Sequence, residues 1–443
     1  MKNKKDAILS KKNIFKPYGA FEENPKWQLF IERKIKKEPS IIRSEFEKDF
    51  NKILHSKAYR RLKHKTQVFF AVENDHICTR IEHINIVSSV SYTIAKFFGL
   101  NTELTNAIAI GHDLGHAPFG HFGETVLKEI AKNYLNENFW HEKNGLRFVD
   151  SIETIVDEKD YEKNLNLTYA VRDGIISHCG EIDNISLKPR EDKIDLEKIK
   201  KPSEYEAITW EGCIVKISDG ISFIGRDIDD ANTLGLVKSI DYLIKLKNKI
   251  KQIRKIIIEE KIIKINNAIL MHLMVKDLMM NSNPNDGIKF SDEIKDLVKV
   301  IKGLNYDLIY NNKRLDNYKK YAKLIIDSIF YFLFECYKSE DTFKELIEKS
   351  KFFPKLTLDF SEWLEKYSNI KERNNRYHNK IIYHLENKNN YIHAVLDFIS
   401  GMTDNYAERV FSELTSFNNY YFKTDYKIIG KNYLNSDAIR RPD

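Results

Sequence analysis

Residues 110–124 read "IGHDLGHAPFGHFGE", placing three histidines, an aspartate and a glutamate in one short segment punctuated by four glycines and a proline. The preceding stretch, "NTELTNAIAI" (101–110), has apolar residues at helical spacing, and Asn101, Thr102 or Thr105 can cap its start. His112 and Asp113 therefore fall at the last turn of a helix. Adjacent helical side chains diverge by about a quarter turn. Gly111 and Gly115 let the backbone bend here, so an imidazole and a carboxylate can converge on one ion. Nitrogen and oxygen donors together suit Mn²⁺, Mg²⁺, Fe²⁺ or Zn²⁺, and the lack of thiolates nearby disfavours a closed structural zinc site.

Such a pair needs partners on neighbouring helices. Upstream, "CTRIEH" sets His83 at the head of an apolar helix over 85–98 that ends on Gly99, a suitable C-terminal cap. Downstream, Asp219 interrupts the apolar run "IVKISDGISFIG", where an unpaired carboxylate is costly to bury and an ion or cationic partner is expected. A cap or a salt bridge at a helix end is the alternative for Asp219. His121 and Glu124, three residues apart, share a face if Phe119 to Leu135 is helical, which makes them an acid/base pair. His116 and His141 complete the group. Nine of the 13 histidines lie between His55 and His178, so the chemistry is expected in the first half of the chain.

Helical periodicity extends over 240–282, 292–303, 315–337, 341–350 and 388–415, and strand alternation is scarce, so the fold class is all-α. The polar segment 183–206 reads as an exposed excursion, and the lysine-rich stretch 236–282 as a helical pair with a solvated face. The domain reading is an N-terminal extension over 1–40, a catalytic core over 41–235 and a helical C-terminal region over 236–443 that completes the substrate pocket. The net charge of +7 gives a mild positive potential that favours anionic ligands. Four cysteines stand far apart without a C-x-x-C pair, which points to a reducing, cytoplasmic home rather than a disulfide framework. The N-terminus has no apolar run of a secretory signal, and the most apolar window, 324–337, is too short for a bilayer span and reads as a buried helix. No P-loop or dinucleotide fingerprint occurs.

The order H, HD, D resembles the HD superfamily of metal-dependent phosphohydrolases. The longer motifs are similar to those of its dGTPase-like branch, the deoxynucleoside-triphosphate triphosphohydrolases. They are "SKAYRRLKHKTQVF" (56–69), "TRIEH" (79–83), "GHDLGHAPFGHFGE" (111–124), "WHEKNG" (140–145), "RDGIISHCGE" (172–181), "DGISFIGRDIDDA" (219–231) and "SGMTDNYAERVF" (400–411). The resemblance implies an HD-type helical core and one divalent ion held by His83, His112, Asp113 and Asp219. It implies release of triphosphate and a deoxynucleoside from a dNTP, with His121 and Glu124 as the acid that protonates the leaving 5′-oxygen and His116 and His141 neutralising phosphate charge. Arg80 would lie against the nucleotide, Gln67 and Asp227 would hold the sugar hydroxyl, and Phe223 and Tyr406 would line the substrate. It further implies a homo-oligomer (dimer, tetramer or hexamer) and a nucleotide or single-stranded DNA effector.

Two departures stand out. Phe223 occupies a position where many relatives carry tyrosine, and "HINIV" (83–87) replaces a small polar residue and a glutamate with Ile84 and Ile86. The competing expectations are another HD phosphohydrolase, acting on nucleoside monophosphates or cyclic nucleotides, and a non-catalytic nucleotide- or nucleic-acid-binding regulator.

Overall fold

The computed structural model describes residues 9–36, 42–69, 74–179, 186–238, 242, 244–246, 248, 266–371 and 373–416. Helices dominate. In the first half they are α1 (Glu45–His55), α2 (Lys57–Arg61), α3 (Arg80–Phe98), α4 (Thr102–Gly111), α5 (Gly120–Leu135), α6 (His141–Arg147), α7 (Tyr169–Ser177) and α8 (Trp210–Thr233). The second half contributes α9 (Asn267–Asn281), α10 (Asp292–Asn305), α11 (Lys313–Glu335), α12 (Thr342–Ser350), α13 (Pro354–Tyr367), α14 (Lys388–Gly401) and α15 (Asp404–Thr415). A small antiparallel hairpin, β1 (Thr154–Val156) on β2 (Glu162–Asn164), pairs Ile155 with Lys163. The sequence shows no signal for it.

Helix α8 is the axis. It packs against α3, α4, α7 and α9, and its Ile217, Ile221, Ile224 and Ile228 are completely or almost completely buried. Each such side chain contributes roughly 1.5–3 kcal/mol relative to exposure. Two apolar cores result: α9 and α10 share one with α8, whereas α11, α13, α14 and α15 share the other with α1, α4, α5 and α7. The described residues of the expected N-terminal extension are packed rather than free. Phe15 is buried against Phe98 and Trp210, at 4.8 Å from each ring, and the Glu211 carboxylate accepts the backbone N–H groups of Ala20 and Asn101.

Local sequence sets the helix ends. Glu82 accepts the backbone N–H of Thr79 at 2.7 Å, closing the first turn of α3, and Gly99 ends that helix in the left-handed conformation, φ 77°. Of the three candidate caps for α4, Asn101 is the one used: its side chain accepts from the N–H groups of Glu103 and Leu104. The run 388–415 is two helices, since Met402 and Thr403 break it. The window 324–337 is amphipathic rather than buried all round, because Ile325, Ile326, Ile329, Phe330 and Leu333 face the core while Leu324 and Tyr331 face solvent. Among the described residues no helix is long and apolar enough to cross a membrane. Most of the expected basic helical pair before Asn266, and Gly180 and Glu181 of the motif at 172–181, lie outside the described residues.

Candidate metal-centred active site

Helices α3, α4 and α8 bring His83, His112 and Asp219 together. Their ligand atoms lie within 4.8 Å of one another, and Asp113 joins His112 and His178 in a second group with the same spread. His83 Nε2 lies 2.9 Å from Asp219 Oδ1, and His112 Nε2 lies 3.5 Å from Asp113 Oδ1 and 3.9 Å from Asp219 Oδ1. The four ligands named from sequence are thus contiguous through His112. Asp219 sits in the middle of α8, not at a helix end, so the capping alternative is excluded.

The donor set fits a divalent cation. His112 Nδ1 donates to the Ala109 carbonyl at 2.7 Å, which fixes the tautomer with a lone pair on Nε2. That Nε2 is buried and has no hydrogen-bond partner among the described residues, a costly state for a nitrogen that no ligand engages. Burial opposes charge on His83, yet the hydrogen bond and charge of Asp219 outweigh it and raise the imidazole pKa. Burial likewise opposes ionisation of Asp219 and Asp113, but His83 holds the first below the usual carboxylate range, and His116 with Arg80 holds the second well below it.

Glycines make the turn between the clusters. A Cβ on Gly115 would stand 2.1 Å from both the Gly145 nitrogen and the His141 carbonyl oxygen, so only glycine lets the turn after Asp113 touch α6. Phe119 and Gly120 are both left-handed, at φ 63° and 59°. Phe119 tolerates this because its N–H donates to Asp404 Oδ1 at 2.9 Å, while Asp404 Oδ2 accepts the N–H of Thr66 at 3.0 Å. The buried Lys65 ammonium adds bonds to the His116 and Ser400 carbonyls.

The second cluster differs from the expected pairing. Glu124 accepts the His141 backbone N–H and its Nδ1, both at 3.1 Å, whereas His121 Nδ1 is 3.7 Å away and its side chain is 70% exposed. Glu124 therefore orients His141 first. Burial disfavours charge on His141, but Glu142 and Glu124 flank it and push its pKa up to about 9. His116 stacks on the His141 ring, centroids 3.7 Å apart, and burial beside Arg80 keeps His116 well below the ordinary histidine value.

His83, Asp113, His116, His121, His141 and Asp219 line a cavity of about 560 Å³ together with Gln67, Arg80, Phe223 and Asp227. A larger groove of about 930 Å³, beside α1 and β1, holds no comparable ligand cluster among the described residues. Arg80 is 1% exposed; one guanidinium nitrogen donates to Asp113 at 2.8 Å, and Nε and the other terminal nitrogen have no partner among the described residues. Burial pushes Asp227 up to about 7, and the Tyr310 hydroxyl donates to it. Of the two departures, Ile84 is spent on the core, with no exposure, and Phe223 shares the cavity with the Tyr310 phenol.

Tyr406, expected to line the substrate, stands at a different cavity. Its hydroxyl donates to Asp359 at 2.6 Å and it lines a separate cavity with Trp363 and Phe398, away from the cluster. Sequence reasoning missed Glu142, His178 and Tyr310, all of which line the main cavity. The first two lie inside motifs already singled out, "WHEKNG" and "RDGIISHCGE"; Tyr310 carries no such signal.

Comparison with known proteins settles the lineage. The HD domain family model matches residues 80–224. A deoxyguanosinetriphosphate triphosphohydrolase-like protein of Caldanaerobacter subterraneus is 32% identical over 90% of this chain and 92% of its own length. This chain belongs to that family. A like-named relative from Desulfatibacillum aliphaticivorans is 34% identical over 67% of this chain and 76% of its own length, and one from Pelagibacter ubique is 32% identical over 85% and 94%. As a member of the deoxyguanosinetriphosphate triphosphohydrolase-like family the protein is a hydrolase of the metal-dependent HD superfamily, and the cluster just described is where a metal ion can be held.

Proposed function

We propose that the protein hydrolyses deoxynucleoside triphosphates to a deoxynucleoside and inorganic triphosphate. The observation that supports this reading is Arg80: a buried guanidinium, anchored by Asp113, with two nitrogens that have no partner among the described residues, beside the His–Asp cluster. Buried donors of this kind are costly unless a ligand accepts from them, and a phosphate matches the planar fork. His83, His112, Asp113 and Asp219 would hold a divalent cation, which when bound would supply Lewis-acid polarisation of a phosphoryl oxygen. The donor set of imidazoles and carboxylates suits Mn²⁺ or Fe²⁺, with Mg²⁺ and Zn²⁺ as the other candidates.

The remaining steps belong to the chain. Water attacks the α-phosphorus, the bond from phosphorus to the 5′-oxygen breaks, and the departing oxygen takes a proton. His121, at the lip of the cavity with Glu124 behind it, donates that proton. His141, cationic between Glu124 and Glu142, and His116 stacked upon it neutralise the phosphates. Asp227 with Tyr310 and Gln67, whose side-chain oxygen is buried and without a partner among the described residues, receive the sugar edge, and Phe223 packs under it. Assembly of several copies and response to a nucleotide or single-stranded DNA effector belong to the same reading; size-exclusion chromatography with and without dGTP tests them.

Incubation with Mn²⁺ and dGTP, followed by chromatography, decides the reaction. Deoxyguanosine and triphosphate are expected. Release of monophosphate alone would assign a different HD phosphohydrolase reaction, and absence of turnover alongside nucleotide binding would assign a regulator. His121→Ala is expected to lower kcat by about 10²–10⁴.

A further inference from the structure

The groove of about 930 Å³ shares no lining residue with the metal-centred cavity. Three consecutive residues of β1, Thr154, Ile155 and Val156, line it. Successive strand side chains point to opposite faces, so a groove that meets all three runs along the edge of the strand. That edge is open. On β2, Glu162 donates its N–H to the Arg376 carbonyl at 2.8 Å and accepts the His378 N–H at 3.0 Å, on the side away from β1. Val156 lies opposite Glu162, and Thr154 opposite Asn164. Because antiparallel pairs alternate between bonded and non-bonded, Val156 and Thr154 turn their own N–H and C=O groups away from β2. Neither backbone has a hydrogen-bond partner among the described residues, and Val156 is 54% exposed.

The rest of the lining is cationic. Its two carboxylates are already matched, Glu45 by Arg33 and Lys48, and Glu162 by Lys366. Lys57 and Arg60 of α2 are exposed and enter no ion pair among the described residues, and the exposed Arg43 and His55 stand in the same lining. The uncompensated charge is therefore positive. From the open edge and this charge we infer that the groove docks an extended acidic segment of a partner protein, which adds to the hairpin as a third strand beside β1. The backbone of that segment pairs with Thr154 and Val156, and its carboxylates meet Lys57 and Arg60. The phosphates of a nucleic acid would also meet the cations, but a phosphodiester only accepts and leaves the Thr154 and Val156 carbonyls without donors. The same cations repel basic strands, which restricts what the edge can pair with.

A fluorescent eight-residue peptide of alternating glutamate and valine, titrated into the full-length chain and followed by anisotropy, tests the inference. Saturable binding is expected, weakened about tenfold when Lys57→Glu and Arg60→Glu are combined, with circular dichroism melts to establish that the variant folds. The wild type alone gives a second answer. A strand added to an edge uses every other N–H, so of two peptides methylated at alternate nitrogens one should lose binding and the other keep it. Hydrogen exchange at Thr154 and Val156 should slow when the unmodified peptide binds. No binding of that peptide, equal binding of the two methylated peptides, unchanged affinity in the folded double variant, or unchanged exchange at β1 overturns the inference. Tighter binding of an oligodeoxythymidylate of equal charge also overturns it, and assigns the groove to nucleic acid.

Discussion

Asp404→Ala removes an acceptor shared by two turns of the active site. The carboxylate takes the Phe119 N–H at 2.9 Å and the Thr66 N–H at 3.0 Å. Phe119 is buried and left-handed, so water has no ready access to its N–H once this bond is lost. A buried donor left unpaired costs about 1–3 kcal/mol, and the half-buried Thr66 donor somewhat less. The two together give about 2–5 kcal/mol of local destabilisation. Asp404→Asn keeps one acceptor oxygen but turns an amide nitrogen toward the other N–H, so about half that loss is expected. Hydrogen exchange of peptides spanning 62–69 and 114–123 measures the effect where it arises. At 1.4 kcal/mol per tenfold, Asp404→Ala should exchange these amides roughly 30-fold to several thousand-fold faster, with Asp404→Asn intermediate. Wild-type exchange in both segments of Asp404→Ala would refute the idea that this carboxylate holds them.

Three other outcomes are expected. Gly115→Ala forces a methyl group to within 2.1 Å of backbone on α6 and should destabilise the protein by roughly 3 kcal/mol, visible as a lower urea midpoint. Chelation of the metal should lower the melting temperature, since an ion at 100 times its Kd stabilises by about 2.7 kcal/mol; in Asp219→Asn the chelator-induced shift should shrink, as read by differential scanning fluorimetry. Asp227 sits at about 7 when folded against about 3.9 unfolded, so the folded state binds the extra proton between those values. Its contribution is therefore most favourable below pH 4 and falls as pH rises to 7, by up to roughly 4 kcal/mol. Urea midpoints of Asp227→Asn should lose that part of the pH slope, and an unchanged slope would contradict the assignment.

The sequence carried the local structure well, because caps and periodicity are local. Asn101 and Gly99 could be read directly as the ends of α4 and α3. The H, HD, D order located Asp219 in an apolar run, and burial made that position meaningful. What could not be read were relations set by tertiary approach. Glu124 holds His141 at 3.1 Å, closer than its helix neighbour His121 at 3.7 Å, with α6 in contact with the turn at Gly115. Tyr406 lies two residues from Asp404, which on a helix is about 200° round the axis, so one side chain meets the turn at Phe119 and the other a separate cavity. Glu142 and His178 reach the same cavity only once α6 and α7 pack together.

Asp404 also sets a temporal order on the molecule. Its two bonds span 285 and 338 residues, so the turn bearing His116 and His121 acquires its clasp only after nearly the whole polypeptide has emerged. Long-range closures of this sort come late and slowly. A chain that ends before α15 lacks this clasp, which ties the finished turn to the arrival of that helix.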